Sequence, residues 1–388
     1  MKLRTIDGID FKGKFVLLRD DFNVQILNGK ISDSFRIEQS MATINKLRDA
    51  GARVVVCSHL GRPGGRVNLD MSLKPVAEYM RVKFIPDCLA RDFMCDMHDG
   101  DVVLLENLRF YPGEEANDEA FAAKLANGFD AFVNDAFAVS HRAAASTVGV
   151  TKFLPSYAGD LLNAEVQNIS SVMENPTHPL LAIVGGSKIS TKIGVLKSLC
   201  KLADKLIVGG ALGTTFLYAR GNNVGDSLYE PDQKETALEI LDFANQNNCE
   251  ILLSIDKGVG QTFAPDAIRQ NKMADAIDAS DVIIDEGIET TARNVSEIKK
   301  AKTVIWNGTF GMAEWGDRWG YSTFNMARAI AEQTQNNGLV SVIGGGETVA
   351  ALDAVGVRDC MTYVSTGGGA FLEFIEGREL PAISVLKM

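Results

Sequence analysis

Short apolar runs recur along the whole chain, and each is followed by a segment whose apolar residues are spaced as in a helix. The runs are FVLL (15–18), RVVVC (53–57), VVLL (102–105) and AFVN (131–134) in the first half, and LLAIV (180–184), KLIV (205–208), ILLSI (251–255), VII (282–284), TVIW (303–306), LVSVI (339–343) and MTYV (361–364) in the second. Continuous apolar runs are typical of parallel strands that are covered on both faces. Because the runs alternate with helical segments, we expect an α/β fold with doubly wound parallel sheets.

The length of 388 residues indicates two domains, because a single hydrophobic core stops growing at about 250–300 residues. One helix is predicted between them, since the segment 158–175 has helical periodicity and is followed by Pro176 and Pro179. We therefore predict two Rossmann-like domains joined by a helix. The predicted bounds are 1–157 for the N-terminal domain, 158–175 for the joining helix, 176–372 for the C-terminal domain and 373–388 for a terminal segment that could return to the N-terminal domain.

Composition excludes several classes of function. The net charge of −11 disfavours binding to nucleic acid. The six cysteines are scattered without a C-x-x-C pair, which disfavours a zinc site or a disulfide framework. No apolar run approaches the roughly 18 residues of a membrane-spanning helix, and the N-terminus lacks the apolar core of a signal peptide. We therefore expect a cytoplasmic protein without a nucleic-acid or membrane partner.

The residues that follow the apolar runs differ between the two halves. In open α/β sheets, ligands bind beyond the carboxyl ends of the strands. The first half places RDDFN, SHLGR, ENLRF and NDAFAVSHR at these positions, whereas the second half places GGSK, GG, NG, GGGE and STGGG there. The first set favours a small polyanion, and the second favours the phosphates of a nucleotide.

Arginines follow or lie near the predicted strand ends of the first half. They are Arg19, Arg36, Arg62, Arg109 and Arg142, and two of them neighbour His59 and His141. A single arginine is more often a surface residue, but five around one sheet favour an anion, which the guanidinium fork fits well. Arg19 carries the least weight, since it can pair with Asp20 or Asp21. The histidines have no sequence neighbour that suggests a nucleophilic triad, so we expect them to bind an anion or to form hydrogen bonds.

Two triple glycines, 344–346 and 367–369, end apolar runs and precede helical segments. Without a Cβ, such a loop allows main-chain N–H groups to converge on an anion beside a helix N-terminus. A tight turn is the alternative for either loop alone. Glu347 and Thr348 are expected in the first helical turn, and Lys188 and Lys192 on one face at the start of another helix. No P-loop, dinucleotide-binding or protein-kinase motif is present.

The chain resembles the phosphoglycerate kinase family along its whole length. The motifs that carry the resemblance are RDDFNV, SHLGRP, ENLRFYPGEE, VNDAF…HR, VGGSKISTKI, WNG…G…E, GGGET and VSTGGGAFLE, in the order of the family. The resemblance implies transfer of the acyl phosphate of 1,3-bisphosphoglycerate to ADP with Mg²⁺. It also implies that the two domains close around a hinge, because the two substrates bind to different domains.

The resemblance assigns residues to three roles. The predicted phosphoglycerate-binding residues are Asp21, Phe22, Asn23, Arg36, His59, Leu60, Gly61, Arg62, Arg109 and Arg142. The predicted nucleotide-binding residues are Lys188, Lys192, Gly209, Gly210, Gly287, Asn307, Gly308, Glu314, Gly344, Gly345, Gly346, Glu347 and Thr348. The predicted catalytic residues are Arg36, Lys192, Gly345 and Gly368, and Glu347 is expected to reach Mg²⁺ on the nucleotide.

The sequence departs from the family at a few positions. Glu347 stands where the family often has Asp, Thr309 replaces a Pro, and Ala138 replaces a Gly. The alternatives are a catalytically silent nucleotide-binding protein and, much less favoured, an NAD-dependent dehydrogenase. A silent protein would have lost Arg36 or Lys192, and a dehydrogenase would need G-x-G-x-x-G after its first strand. One chain suffices to build the site, so a monomer is expected.

Overall fold

The computed structural model describes residues 1–27 and 29–388, which form two compact units. The first unit consists of Met1–Gln167 together with Glu379–Met388, and the second of Asn168–Arg378. The division falls inside the helix Asp160–Glu174, which lies where the joining helix is predicted. The final segment belongs to the first unit, where the main-chain N–H of Arg4 donates to the Leu386 carbonyl at 2.9 Å.

The first unit contains one parallel sheet and a short hairpin. Its strands are β1 (Phe15–Arg19), β2 (Ile26–Leu27), β3 (Lys30–Ile31), β4 (Arg53–Cys57), β5 (Lys83–Ile85), β6 (Val102–Leu105), β7 (Ala131–Asn134) and β8 (Ser156–Ala158). Its helices are α1 (Phe35–Asp49), α2 (Lys74–Met80), α3 (Pro112–Glu115), α4 (Glu119–Ala126) and the first half of α5 (Asp160–Glu174). The six-stranded sheet has the order β5-β6-β4-β1-β7-β8, and β2 pairs with β3 in the hairpin. The short helix α13 (Pro381–Ser384) completes the unit.

Both faces of this sheet are covered, as the apolar runs predict. Val16 and Leu18 of β1 pack with residues of α1 in one core cluster. Leu17, which points to the opposite face, packs with Phe121 and Leu125 of α4 in another. Because successive strand residues face opposite sides, a strand between two helical layers must be apolar throughout. The α/β, doubly wound class is confirmed.

The second unit contains a second six-stranded parallel sheet. The strands of the whole unit, in chain order, are β9 (Leu180–Val184), β10 (Lys205–Val208), β11 (Glu250–Leu252), β12 (Asp256–Gly260), β13 (Gln270–Met273), β14 (Val282–Glu286), β15 (Thr303–Asn307), β16 (Val340–Gly344) and β17 (Tyr363–Val364). Its helices are the end of α5, α6 (Ile193–Cys200), α7 (Gly210–Ala219), α8 (Lys234–Gln246), α9 (Ile288–Lys300), α10 (Tyr321–Asn337), α11 (Gly346–Ala354) and α12 (Gly369–Ile375). The parallel sheet has the order β11-β10-β9-β15-β16-β17. No helix in the described part of the chain is both long and apolar enough to span a membrane.

One expected parallel strand belongs elsewhere. The run 282–284 lies in β14, which pairs antiparallel with β12 in a separate sheet of order β13-β12-β14. The prediction of a parallel strand there is wrong, because a short apolar run does not reveal the direction of its partner. Strands β5, β8, β12 and β13 were not predicted, since they are short or carry many polar residues.

Candidate functional site

The carboxyl ends of three adjacent strands bring charged residues of the first unit together. Strands β4, β1 and β7 are neighbours and run parallel. They lead into Ser58-His59, Asp20-Asp21 and Asp135, respectively. Residues that follow the carboxyl ends of parallel strands share one edge of the sheet. Side chains more than 100 residues apart in sequence therefore meet there.

Asp21 and Arg36 form the central ion pair of this edge. Nη1 of Arg36 lies 2.8 Å from Oδ2 of Asp21 and also donates to the Asn23 carbonyl at 3.1 Å. Burial alone would raise the pKa of Asp21, but Arg36 and, more weakly, Arg19 lower it below its ordinary value, together with the hydrogen bond from the Asn23 N–H. The Arg36 side chain keeps 27% of its surface exposed. A fixed guanidinium thus retains a face for a ligand.

His59 is a hydrogen-bonding residue here and not a cation. Its side chain is buried, with Nδ1 3.6 Å from Oδ1 of Asp21 and 3.2 Å from Nη2 of Arg19. Burial lowers the pKa of His59 well below its ordinary value, against the raising effect of Asp21. The imidazole is therefore neutral at pH 7. Of the two roles expected for it, the structure favours hydrogen bonding.

Arg19, which sequence analysis weighted least, is central to the site. It is 2% exposed, and its Nε donates to the Ser146 hydroxyl at 2.8 Å. Its Nη1 contacts the main-chain carbonyl of Asp20 and not a carboxylate. Arg19, Arg109 and Arg142 line one cleft of about 280 Å³, which we call the arginine cleft. Arg19 is the last residue of β1, and this position at the carboxyl end of a strand is the sequence signal that could have identified it as a site residue.

The loop after β4 is held in a conformation that glycine allows. Gly61 has φ +63°, and a Cβ there would lie 2.7 Å from the sulfur of Met71. Its N–H donates to Oδ1 of Asn23 at 2.9 Å, and its carbonyl accepts from Nη1 of Arg109 at 2.7 Å. Asn107, not predicted, donates to the Leu60 carbonyl at 2.7 Å. The main chain of Gly61 therefore links Asn23 and Arg109 through hydrogen bonds.

The remaining predicted residues of the first unit divide into buried and exposed ones. Phe22 and Leu60 pack in the core, so only their main chain is available to a ligand. Arg62 and Arg142 are exposed. Nε of Arg142 lies 3.2 Å from Nε2 of His141. Burial lowers the pKa of Arg109, whose Nε also lies 3.3 Å from Glu115, yet a guanidinium stays charged.

A pair of buried carboxylates, Asp20 and Asp135, lies beneath this edge. The side chain of Asp20 is fully buried, and the Ser40 hydroxyl only partly offsets the effect of that burial on its pKa. Burial and the neighbouring Asp135 raise the pKa of Asp20 well above its ordinary value. Asp135 accepts from the Leu162 N–H at 2.9 Å, so it caps the start of α5. Two like charges in a buried site favour one shared proton, and we assign that proton to Asp20.

The second unit carries a cavity of about 230 Å³ beside its glycine loops. We call it the glycine-lined cavity. Its wall consists of Gly186, Ser187, Gly210, Ala211, Leu228, Lys257, Phe263, Ile283, Ile284, Thr309, Phe310, Gly311, Met312, Glu314 and Glu347. The wall combines apolar side chains, among them Phe310 and Met312, with glycines and a few polar or charged side chains. Such a surface suits a flat ring that is joined to an anionic group.

The first triple glycine lies between β16 and α11, at the strand-to-helix junction predicted for it. Gly345 has φ +101°, and α11 begins at Gly346. The amide of Asn307 donates to the Gly344 carbonyl at 2.8 Å, and the Thr348 hydroxyl accepts from the Gly308 N–H at 2.8 Å. The end of β15 therefore holds the loop after β16. Glu347 lies in the first turn of α11, as predicted.

The Lys192 ammonium contacts the loop after β9 and the end of β15. Its Nζ donates to the Gly185 carbonyl at 2.6 Å and to Oδ1 of Asn307 at 2.8 Å. Burial lowers the pKa of Lys192 to about 8, and Glu347 opposes the shift. The prediction that Lys188 and Lys192 share a helical face is wrong, because α6 begins only at Ile193. Lys188 lies in the preceding loop and is exposed.

Close packing against neighbouring atoms explains the glycines at positions 209 and 308. A Cβ on Gly209 would lie 2.4 Å from the Phe310 ring, and one on Gly308 (φ +96°) would lie 2.4 Å from the Gly185 carbonyl oxygen. Gly287 differs, because it lies at the start of α9 against the Asp256 carboxylate and not on the cavity wall. Its role in nucleotide binding stays a prediction.

The second triple glycine precedes α12, which begins at Gly369. A Cβ on Gly368 would meet no atom within 4 Å, so packing does not require glycine there. The N–H of Gly367 donates to the Ser365 hydroxyl at 3.1 Å. The role of Gly368 in binding the transferring phosphoryl group stays a prediction.

The acidic residues suit a metal that arrives with the nucleotide. No cluster of three or more His, Cys, Asp or Glu side chains able to hold a metal occurs among residues 1–27 and 29–388. Mg²⁺ is usually bound by one or two carboxylates together with substrate phosphates. Glu347 is exposed, lines the cavity and lies close enough to Lys192 to affect its pKa. It can therefore supply that single carboxylate.

Comparisons with known proteins agree with this geometry. The family model described as phosphoglycerate kinase matches residues 6–378. A phosphoglycerate kinase of Granulibacter bethesdensis is 43% identical, with 100% of each chain covered. One of Rhodopseudomonas palustris is 45% identical, with 99% of this chain and 98% of the relative covered.

Solved structures show the same relationship. The phosphoglycerate kinase of Coxiella burnetii has a TM-score of 0.88 at 39% identity, with 99% of both chains covered. The phosphoglycerate kinase of Pyrococcus horikoshii has a TM-score of 0.86 at 27% identity, with 99% of this chain and 98% of that chain covered. The chain described here belongs to the phosphoglycerate kinase family.

Proposed function

We propose that this chain transfers the acyl phosphate of 1,3-bisphosphoglycerate to ADP, reversibly, to give 3-phosphoglycerate and ATP in glycolysis and gluconeogenesis. Membership of the family makes the chain a phosphotransferase with a carboxyl group as acceptor. The observation that carries the residue assignment is Arg36. Asp21 fixes its guanidinium at 2.8 Å, and more than a quarter of the side chain remains open to a ligand.

The arginine cleft suits the phosphoglycerate. A molecule with a phosphate at one end and a carboxylate at the other requires cations at two positions. Arg109 and Arg142 line the cleft, and with the exposed Arg62 they bind the phosphate that is not transferred. Asp21 and Asn23 contact the hydroxyl and carboxyl region, where Arg36 lies.

The glycine-lined cavity suits the nucleotide. Phe310, Met312 and the isoleucines of β14 provide apolar surface for the base, and Glu314 provides an acceptor for ribose hydroxyls. Lys192, with Lys188, neutralises the phosphates, and the N–H groups at the start of α11 complete their binding. Thr309 lies on the cavity wall, so replacement of the family's proline alters the binding surface itself.

The chemistry requires charge stabilisation and no general base. The attacking carboxylate of 3-phosphoglycerate is already ionised at pH 7. Charge on the transferring phosphoryl oxygens is met by Arg36, Lys192 and the N–H groups of Gly345 and Gly368. Mg²⁺, held by the nucleotide phosphates and Glu347, would neutralise phosphate oxygens as a Lewis acid.

The proposal includes domain closure, a monomeric state and a cytoplasmic location. Direct transfer requires both substrates within bonding distance, and closure also excludes water that would hydrolyse the acyl phosphate. The absence of compaction in X-ray scattering with both substrates bound would contradict closure. A silent nucleotide-binding protein is disfavoured because Arg36 and Lys192 are present, and a dehydrogenase because RDDFN follows β1.

A coupled assay tests the proposal. The protein is supplied with Mg·ATP and 3-phosphoglycerate, and a dehydrogenase with NADH consumes the product. Turnover that requires both substrates and Mg²⁺ is expected. Folded protein that binds Mg·ADP but shows no turnover would contradict the proposed reaction and favour the silent alternative.

A further inference from the structure

A series of hydrogen bonds links Glu114 to the charged sheet edge of the first unit. The Glu114 side chain is 2% exposed, although it lies at the wall of the arginine cleft. Its Oε1 accepts from the Ser146 hydroxyl at 2.6 Å, and its Oε2 accepts from the Ser146 N–H at 3.0 Å. Both carboxylate oxygens therefore hold one residue, Ser146.

The orientation of the Ser146 hydroxyl in turn holds Arg19. A hydroxyl donates one hydrogen and accepts at two lone pairs. Because Glu114 accepts the hydrogen, the lone pairs are left for Nε of Arg19, which donates to Oγ at 2.8 Å. Ser146 is 0% exposed and Arg19 is 2% exposed. The Arg19 guanidinium is therefore fixed by a buried acceptor whose orientation Glu114 sets.

Arg19 determines which nitrogen of His59 carries the hydrogen. Nη2 of Arg19 lies 3.2 Å from Nδ1 of His59. A guanidinium has N–H donors and no acceptor, so Nδ1 must accept this bond and cannot carry a hydrogen of its own. His59 is neutral, because burial lowers its pKa well below its ordinary value. The single N–H of the imidazole therefore belongs to Nε2.

Asp21 favours the opposite tautomer. Its Oδ1 lies 3.6 Å from the same Nδ1, and a carboxylate would accept a hydrogen bond from Nδ1–H. The distances decide between the two partners, because 3.2 Å is within the range of a hydrogen bond and 3.6 Å is beyond it. The Nε2–H tautomer is therefore stable only while Arg19 keeps its position.

Nε2–H is the donor that His59 can offer to a ligand. The described residues give Nε2 no hydrogen-bond partner. The side chain keeps 3% of its surface exposed, and Nε2 is not among the fully enclosed polar atoms that lack a partner. An anionic oxygen accepts from Nε2–H, whereas the lone pair on Nε2 in the other tautomer would repel it. The tautomer thus decides whether His59 attracts or repels an anion.

We propose that Glu114, acting through Ser146 and Arg19, is a positioning residue that holds His59 in the Nε2–H tautomer and so makes it a hydrogen-bond donor to the anionic substrate of the first unit. The inference rests on the proposed function, because it takes that substrate to be 3-phosphoglycerate. A carboxylate at the wall of an anion-binding cleft is otherwise unfavourable, since its charge opposes that of the ligand. The alternative is that Glu114 only stabilises the loop that carries Ser146.

Nuclear magnetic resonance measures the tautomer directly. Long-range proton–nitrogen correlation spectra of protein labelled with nitrogen-15 histidine distinguish a ring nitrogen that carries a hydrogen from one that does not. The chain has four histidines, and the variant His59→Gln identifies the signals of His59. The wild-type protein is expected to show Nε2–H. This measurement requires no change to Glu114 or Ser146, so it tests the inference even if variants at those positions do not fold.

Two variants break the series at different bonds. Ser146→Ala removes the acceptor of Arg19 Nε. Glu114→Gln replaces one accepting oxygen by an amide nitrogen, which is a donor, so either the hydroxyl or the N–H of Ser146 loses its acceptor. Each variant is expected to shift His59 toward Nδ1–H, because Asp21 then competes with a displaced Arg19. Calorimetric titration should show ~10-fold weaker binding of 3-phosphoglycerate, the usual effect of one hydrogen bond to a charged group, with unchanged binding of Mg·ADP.

Glu106→Gln is the matched control. Glu106 is also a buried carboxylate of the first unit, and its Oε2 accepts from the Ser72 hydroxyl at 2.7 Å. The described residues give that serine no arginine partner. The control should destabilise the protein to a similar extent and leave the His59 tautomer unchanged.

Three results would overturn the inference. The first is an Nδ1–H tautomer in the wild-type protein. The second is an unchanged Nε2–H tautomer in folded Glu114→Gln and Ser146→Ala, which would leave Glu114 as a residue that only stabilises its loop. The third is a tautomer shift of the same size in Glu106→Gln, which would assign the shift to general destabilisation.

The tautomer separates the inference from the proposed reaction. An Nε2–H tautomer that shifts in both variants, in a protein without turnover of 3-phosphoglycerate, would support the positioning role of Glu114 and contradict the proposed function. Turnover of 3-phosphoglycerate by a protein whose His59 carries Nδ1–H would do the reverse.

Discussion

The two candidate sites are built from different parts of the chain. In the first unit, side chains provide the charge: Arg19, Arg36 and Arg109 are fixed by carboxylates, hydroxyls and carbonyl oxygens. In the second, the main chain provides much of the surface, in loops that Gly308 and Gly345 allow by their positive φ angles. In a site built from side chains, a substitution removes one charged group and leaves the other groups in place. A main-chain site fails when a single added Cβ displaces the loop.

Replacement of Arg36 by Ala is the strongest test of the side-chain site. We expect kcat to fall by ~10³-fold or more, by analogy with catalytic arginines in phosphoryl transfer, with a smaller change in nucleotide affinity. Steady-state kinetics and nucleotide titration measure the two effects. Arg48→Ala, which changes an exposed arginine in the last turn of α1, is the control. A near-normal kcat in Arg36→Ala would remove Arg36 from the mechanism.

Gly308→Ala tests the main-chain site. The strain at φ +96° and the 2.4 Å approach to the Gly185 oxygen should displace the loop. We expect nucleotide affinity to fall by ~10-fold or more, given that such strain costs about 1–3 kcal/mol, while binding of 3-phosphoglycerate is kept. Titration with each ligand separates the two sites.

Gly356→Ala is the matched control for that change. Gly356 has φ +69° but no atom within 4 Å of an added Cβ, so it suffers strain without collision. If both variants weaken nucleotide binding equally, general destabilisation explains the loss, and the close approach at Gly308 does not.

Asp20→Asn tests the stability cost of a side-chain site. The raised pKa means that the folded state binds a proton more tightly than the unfolded state. The stability associated with this proton is complete below the unfolded pKa of about 3.9 and is lost as pH rises through the folded pKa. Urea unfolding should therefore show wild-type stability falling as pH rises from about 4 toward the folded pKa, with Asp20→Asn about 1–3 kcal/mol more stable at pH 8.

Asp92→Asn, at an exposed position, is the control and should not change the pH dependence of the free energy of unfolding. Equal pH dependence in the wild type and in Asp20→Asn would show that Asp20 is ionised and compensated in the folded protein.

The smallest expected effect concerns Lys192 and the pH dependence of nucleotide affinity at the main-chain site. Its pKa of about 8 means that the ammonium loses its charge as pH rises through 8, so nucleotide affinity should fall there. Bound phosphate raises that pKa, and binding near pH 8 should take up a fraction of a proton. Calorimetry in two buffers of different ionisation enthalpy measures the uptake. Lys192→Arg, which stays charged, should abolish it; persistent uptake would assign the proton to another group.

The two sites also differ in how well their residues could be predicted from the sequence. The triple glycines were predicted correctly to lie between a strand and a helix, because each ends an apolar run and precedes a segment with helical spacing. Their role in phosphate binding stays a prediction. The side-chain site was predicted less evenly. Arg19 was underweighted, since sequence proximity suggested a partner in Asp20 or Asp21, whereas the fold directs its guanidinium to Ser146 and the arginine cleft.

Other features depend on pairings between distant residues. Lys257 and Glu286 are 29 residues apart, and their ion pair exists only because β12 and β14 run antiparallel in register. Asp20 and Asp135 meet because β1 and β7 are neighbours. The position of Lys188 depended on where α6 begins, and the residue at the N-cap of that helix, Lys192, makes no capping hydrogen bond with its side chain.

The sequence by itself determined the α/β class, most of the parallel strands, the strand-to-helix positions of the triple glycines and the residue types available for anion binding. These follow from local physics: apolar periodicity, the freedom of glycine and the charge of each side chain. Only the tertiary structure decided which charges are buried, which are paired and which face a cavity. Burial and pairing set the pKa values and the hydrogen-bonding needs of these groups, and both arise from strand order and register, which bring together residues that are far apart in the chain.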